Sequence, residues 1–399
     1  MGNLDKLART ELMDRIRDYG DEVSLIDSKS NYIPVHNSLF NGDESVNLIS
    51  SILGEDVDYR KSFNLKMMDY TGKGNIRISS SPSAYISLLK ALSSDSLGSR
   101  AILPGDEVIT TPNNVSLISA LCLFGVIPVL VDVDLDTMLP DPISIEMLIV
   151  EGKTKAVMVS SVCGNTLNGE IIRDLADDFS ITFVEDIGYG FGGRVQGVPV
   201  GSFADIVIYT FHSNLIGDTK VIISKSHLVH ELIGQTTSDE ESTLWVGKNN
   251  NKLVYSYLDA QMDKCDYYTS MRRVNWTRLY AGLMKYNKMF RFHNSHANSG
   301  PSWSVFVLTL KEPSPFSRED IISYLENHGV GATPLVGNIF LAPAYKRYLG
   351  EGDELINSDY ISRNSFMVGC NPCMKLEHTD YIIKTIEEFM EEYVKKSQD

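Results

Sequence analysis

Two side chains of this 399-residue chain stand where proton chemistry could be done. Asp186 ends the apolar run ITFVED, and His212 follows the apolar run DIVIYTF. In an open α/β sheet, ligands bind beyond the carboxyl ends of the strands, so a carboxylate and an imidazole just past neighbouring strands form a candidate acid/base pair. Singly, each is more often a turn residue or a satisfied polar group, since a carboxylate at the mouth of a buried strand needs a cationic partner or a turn to cap.

Other patterns carry less chemistry. The run GYGFGG at 188–193 contains GxGxxG after a strand, but RVQGVPVGSFAD follows it instead of a helix. The dinucleotide reading therefore fails its context, and the glycines are expected to permit tight turns. HxxH occurs at His227/His230 and His293/His296 with no third ligand in reach, and both pairs read as surface histidines. Cys370 and Cys373 form one isolated CxxC, read as late-strand and turn residues, and five cysteines in all do not make a disulfide framework.

The elements that must position Asp186 and His212 are legible as short β-branched runs alternating with amphipathic helices, the pattern of a mostly parallel sheet covered on both faces. Strands are predicted at 75–79, 107–111, 128–133, 155–161, 181–186, 205–210 and 220–224, and helices at 84–95, 114–124, 142–150 and 168–178. Residues 226–290 read as helix and loop, with a polar stretch, TTSDEESTLWVGKNNNK, suited to a mobile loop or a subunit boundary. A smaller α/β unit follows, with a strand at 302–310, a helix at 317–329 and a closing helix. The expected division is an N-terminal helical arm (1–60), a large α/β domain (61–265) and a small C-terminal α/β domain (266–399).

With 36 basic and 52 acidic residues the net charge is −16, which repels nucleic acid and anionic membrane surfaces. No apolar run approaches the ~20 residues of a membrane span, and the N-terminus is a charged amphipathic helix, so a cytoplasmic protein is expected.

Collinear segments from about Ile33 onward carry a resemblance. They include ALSSDSLGSRAILPGDEVIT, FGVIPVLVDVDLDT, FVEDIGYGFGGRVQGVPVGSFADI, AQMDKCDYYTSMRRVNWTRLYAGL, GPSWSVFVLTL with PFSREDIISYLENHGVG, and GNIFLAPAY. Together they resemble the aminotransferase-like (DegT/DnrJ/EryC1/StrS) family of fold-type-I pyridoxal-phosphate proteins that modify nucleotide sugars. The nearest branch in this likeness is the NDP-4-keto-6-deoxyhexose 3-dehydratases. The resemblance implies a seven-stranded, mostly parallel sheet between helices, a small C-terminal α/β domain and a homodimer. It places Asp186 opposite the cofactor's pyridine nitrogen, where a carboxylate holds the ring protonated as an electron sink.

Aminotransferases of the family then carry a Schiff-base Lys, and the dehydratases a His that acts as base. Aligned backward from its final strand, GSFADIVIYTFHSNLIGDTKVIIS puts His212 there, with three loop residues deleted; aligned forward, Leu215 falls there. The first alignment keeps both flanking strands in phase and confines the gap to a loop. Neither supplies a Lys, which disfavours transamination, and Lys220 reads as a strand-edge charge.

Other positions depart from the family pattern. The phosphate-binding turn GSS becomes Ser81-Pro82-Ser83, and the proline removes one N–H from an anion cradle, although Ser81 and Ser83 keep hydroxyls there. The ring-stacking aromatic is replaced within Pro112-Asn113-Asn114, where Asn113 is the candidate contact, and Tyr189 stands where the family has Gln or Asp. GEGG becomes Gly217-Asp218-Thr219-Lys220, and the asparagine that reaches the neighbouring subunit's phosphate has only Asn249, Asn250 or Asn251 to fill it. The cysteines of the iron–sulfur dehydrases are missing, because Gly188 stands near one ligand position and no cysteine occurs in 226–264. No cluster is expected.

Two readings follow. In one, pyridoxamine or pyridoxal phosphate serves C3 dehydration of an NDP-4-keto-6-deoxyhexose, with His212 as base. In the other, a cofactor-free relative binds a sugar nucleotide or partners an active homologue, because four altered contacts each cost on the order of 1 kcal/mol or more.

Overall fold

The computed structural model describes residues 2–24, 32–36, 41–80, 83–211, 218–238, 252–335 and 355–396. Three helices lead in: α1 (Gly2–Ser24), α2 (Gly42–Ile52) and α3 (Tyr59–Thr71). Asn41 and Glu44 close a capping box at the start of α2, satisfying backbone N–H groups at that end.

Strands and helices then alternate: β1 (Asn75–Ser80), α4 (Ser83–Leu92), β2 (Glu107–Thr110), α5 (Val115–Leu123), β3 (Ile127–Leu130), α6 (Pro142–Leu148), β4 (Thr154–Ser160), α7 (Gly169–Asp178) and β5 (Thr182–Gly188). A short hairpin, β6 (Arg194–Val195) with β7 (Val198–Pro199), precedes β8 (Ile206–Phe211) and β9 (Thr219–Ser224). Seven strands pair in the order β1-β9-β8-β5-β4-β2-β3, with β1/β9 and β9/β8 antiparallel and the rest parallel. All seven expected strands are present. The third stops at Leu130, because Val133 leaves the sheet to bridge Pro140.

The strands are largely apolar because both faces are covered, and the two-residue period sorts their side chains. Val108, Met158, Val184, Ile208 and Ile222 pack beneath α4, α5 and α8 (His227–Ser238). Ile109, Val157, Val159 and Phe183 pack against α6 and α7. Val207, Val221 and Ile223 pack against α3 and α9 (Lys252–Asp263). Asp186, Thr210 and Lys220 share the parity of 184, 208 and 222. They therefore fall on the α4 face.

Helix α10 (Cys265–Leu283) leads to a second sheet, in which β10 (Phe290–Phe292), β12 (Val305–Leu310), β14 (Ser365–Gly369) and β13 (Ala332–Pro334) pair antiparallel in that order. The two-residue β11 (Ser299–Gly300) pairs with β6 instead. With α11 (Arg318–Asn327), α12 (Ile356–Asn364) and α13 (Leu376–Lys396), this region has a core of its own, in which partly buried Trp276 stacks on Trp303 at 4.5 Å.

The structure corrects one sequence expectation here. His293 is buried, not a surface histidine, because its Nε2 meets the hydroxyl of Thr309 on β12 at 2.8 Å. Burial pushes its pKa down to about 4. Among the described residues no group of metal-ligating side chains occurs, and no helix is long and apolar enough to cross a membrane. Most of the polar stretch after α8, residues 239–251, lies outside the described residues, as do Asn249, Asn250 and Asn251.

Candidate functional site

Strand ends, helix N-termini and the small sheet converge on a cavity of about 410 Å3. Asp186, at the end of β5, lies on its floor and is only 4% exposed. A carboxylate this deep must be compensated, and neighbouring protein groups do so. Its Oδ1 accepts the backbone N–H of Gly188 at 3.0 Å. Its Oδ2 accepts Asn114 Nδ2 at 2.9 Å and the hydroxyl of Tyr85, from α4. Lys220 Nζ, from β9, stands 3.7 Å from the same oxygen.

These partners are themselves held. Asn114 Oδ1 accepts the N–H of Leu117 at 3.1 Å, capping α5, which turns Asn114 Nδ2 toward Asp186 and toward Ser160 Oγ at 2.8 Å. Burial, and then the neighbouring Asp186 charge, push the Tyr85 phenol well above its ordinary pKa, so it stays a proton donor. The β8/β9 register sets Thr210 opposite Lys220, and Thr210 Oγ1 accepts from Lys220 Nζ at 2.9 Å. The same ammonium lies 4.8 Å from the centre of the Tyr85 ring, within cation–π range.

Lys220 is thus corrected from a strand-edge charge to an interior one. Strand β9 lies between β1 and β8, and Lys220 is 6% exposed. Sequence reasoning missed Tyr85 and Lys220 as partners of Asp186. The available signal was a lysine opening the apolar run VIIS and an acid closing the apolar run ITFVED.

The other expected residues are placed unevenly. Asn113 lines the cavity with its Oδ1 buried and without a hydrogen-bond partner. Tyr189 also lines it, donating to Asp218 Oδ2 at 3.0 Å. Burial and the Asp218 charge push its phenol upward. Ser83 begins α4, while Ser81 and His212 lie outside the described residues, as does Leu215. Asp186, Asn113 and Tyr189 are therefore brought to one cavity. Cys163 lines it too, but burial pushes its thiol up to about 12, which leaves no thiolate nucleophile near neutral pH. Ser161 and Ser362 line the cavity, and their hydroxyls are buried without hydrogen-bond partners. Such groups cost free energy unless a ligand or water meets them, so they favour a polar occupant.

A pyridoxal group would need Asp186 to face the cavity with negative charge to spare. Here one carboxylate oxygen serves the backbone, and the other serves a phenol and an amide with an ammonium beside it. The donor set around Asp186 does not fit a protonated pyridine ring.

Comparison with known proteins places the chain. The sequence profile of the DegT/DnrJ/EryC1/StrS aminotransferase family matches residues 48–387. The lipopolysaccharide biosynthesis protein RfbH of Salmonella typhimurium is 29% identical over 373 residues, spanning 83% of this chain and 85% of that protein. The dTDP-4-dehydro-2,6-dideoxy-D-glucose 3-dehydratase of Saccharopolyspora spinosa is 27% identical over 353 residues, spanning 78% and 76%. Among solved structures, E. coli GDP-4-keto-6-deoxy-D-mannose-3-dehydratase with bound hydrated PLP superposes with a TM-score of 0.76 at 19% identity, covering 89% of this chain and 98% of that one. That likeness shows the fold, the fold-type-I arrangement of a large, mostly parallel sheet flanked by helices.

Proposed function

This chain belongs to the DegT/DnrJ/EryC1/StrS aminotransferase family, and from that premise we propose that it binds a nucleotide-sugar ligand without using the pyridoxal group, acting as a binder or as partner subunit of an active homologue. One observation carries the reading. Asp186, the residue that resemblance sets against the cofactor ring, is already neutralised by Lys220 and hydrogen-bonded by Tyr85 and Asn114.

The rest of the cavity supports a ligand of polyhydroxylated type. Asn113 Oδ1 is an acceptor, and the Ser161 and Ser362 hydroxyls both donate and accept. What these residues do in this reading is bind and orient. Proton transfer is not asked of Asp186, which accepts three hydrogen bonds beside the Lys220 ammonium, nor of Tyr85, whose proton is held by burial.

Titration of the purified chain with pyridoxal and pyridoxamine phosphates tests the proposal, and no saturable shifted absorbance band is expected. Melting measured with UDP-, GDP- and dTDP-sugars is expected to rise for at least one of them. A saturable cofactor band overturns the cofactor-free reading.

The dehydratase relative of Saccharopolyspora spinosa favours a second reading. It is C3 dehydration of an NDP-4-keto-6-deoxyhexose, with His212 as base. The absence of Lys between Phe211 and Thr219 suits dehydration better than transamination. Turnover of such a sugar nucleotide, lost in His212→Ala, would replace the first reading with this one. A homodimer goes with the sugar-nucleotide binder and with the dehydratase, whereas a partner subunit would pair with its homologue instead; sedimentation of the purified chain, alone and mixed with the homologue, distinguishes them.

A further inference from the structure

We propose that Lys220 is a built-in substitute for a ring cation: its ammonium neutralises Asp186 from inside the protein, and removing that charge turns the cavity floor into a receptor for a protonated N-heterocycle. The inference rests on the cofactor-free reading and deepens it, because it names the residue that keeps the cofactor out.

Three features fix the ammonium at this point. Strand β9 is interior, so the side chain has no route to solvent along a sheet edge. Its parity on the strand matches Thr210 across the β8/β9 pair, and Thr210 Oγ1 accepts a hydrogen bond from it at 2.9 Å. The Tyr85 ring presents its face at 4.8 Å, and Asp186 Oδ2 lies at 3.7 Å. Lysine and carboxylate are 6% and 4% exposed, so water screens neither.

The charge arithmetic of the cavity makes this lysine special. Among the described lining residues, Lys220 is the one lysine or arginine, against the two carboxylates of Asp186 and Asp218. Gly188, Tyr85 and Asn114 give Asp186 hydrogen bonds, yet none of them brings a formal positive charge. Without Lys220 a desolvated carboxylate remains uncompensated, which is unfavourable unless a cation enters. A pyridinium N–H supplies both the charge and a donor, whereas a neutral sugar supplies only donors. The lysine therefore decides which of two ligand classes the floor accepts.

The experiment compares the full-length chain with Lys220→Ala, Lys220→Gln and Tyr85→Phe. The probe is pyridoxamine 5′-phosphate, which has no aldehyde and so does not label surface lysines. Binding is read by equilibrium dialysis and by melting with and without the probe. The wild type and Tyr85→Phe are expected to stay flat, since both keep the internal cation. Lys220→Ala is expected to melt lower than wild type, to recover with the probe, and to bind it at least about tenfold more tightly. Lys220→Gln drops the charge but keeps a hydrogen bond to Thr210, and it decides the matter if the alanine variant does not fold. Flat binding by a folded Lys220 variant overturns the inference while leaving the cofactor-free reading in place. So does failure of both variants to fold even when expressed with the probe. Saturable binding by the wild type overturns both.

Discussion

Removing the Lys220 ammonium while keeping its bulk should be among the costliest single changes in the large sheet. In Lys220→Met the methylene stem stays packed, so the cavity term is small and the loss is electrostatic. Coulomb's law at the observed 3.7 Å, with an effective dielectric constant of about 20, gives an attraction of about 4.5 kcal/mol. The lysine's own desolvation offsets part of this, but the carboxylate left behind stays buried, so a net cost of about 3–4 kcal/mol is expected. Asp186→Asn should also destabilise, by about 2–3 kcal/mol, because it leaves the ammonium with only Thr210 and the Tyr85 ring. The double variant removes both charges together. It should cost less than the two single changes added, by at least about 2 kcal/mol. Urea unfolding at neutral pH, followed by circular dichroism, measures all four proteins. A Lys220→Met cost under about 1 kcal/mol, with additive behaviour in the double variant, would refute the pairing and everything built on it.

Burial pushes the Glu185 carboxyl up to about 7, against an opposing pull from Lys73. Between pH 4.5 and 7 the folded chain therefore holds a proton that the unfolded chain has released, and stability falls as pH rises through that window, by up to about 3 kcal/mol. His293, pushed down to about 4, works in the opposite sense: its contribution is lost as pH falls from 6.5 toward 4. Glu185→Gln should abolish the first slope and leave stability rising with pH below 6.5; an unchanged pH profile of urea midpoints would count against it. Ser161→Ala and Ser362→Ala should leave the free protein as stable or up to about 1 kcal/mol more stable, since neither hydroxyl has a partner, while reducing the melting rise produced by a bound sugar nucleotide. An undiminished rise would remove both from the site. Gly192 adopts φ +92°, and a Cβ there would meet Thr269 Oγ1 at 1.9 Å, so Gly192→Ala should cost more than about 2 kcal/mol; a neutral outcome in the same urea assay would contradict that geometry.

Much of the architecture could be read from local pattern. Seven runs of β-branched residues, each too short for a helix and the first four each followed by one, specify a covered, mostly parallel sheet, and both the seven strands and the family profile agree with that reading. Asp186 was visible for the same reason. A carboxylate closing an apolar strand is conspicuous in one dimension, and the end of a parallel strand is where a ligand must lie. The glycines of GYGFGG were legible as turn residues once no helix followed them, and Gly192 sits in the left-handed region as a tight turn demands.

Lys220 and His293 were misread, and for one reason. Both are polar residues whose burial depth is set by what packs over them, and the apolar run after Lys220 is only a partial sign of it. Depth depends on strand order, and the order β1-β9-β8-β5 is not a local property. It draws residues 85, 114 and 220 around residue 186 from three separate elements, on helix α4, at the cap of α5 and on strand β9. The amino-acid order alone determined the period of each strand, the face each side chain takes and the acid at the mouth of β5. Tertiary structure alone decided what that acid meets. Charge compensation acts over a few ångströms in space, and only the packed sheet brings a lysine from 34 positions further along the chain to within 3.7 Å of it.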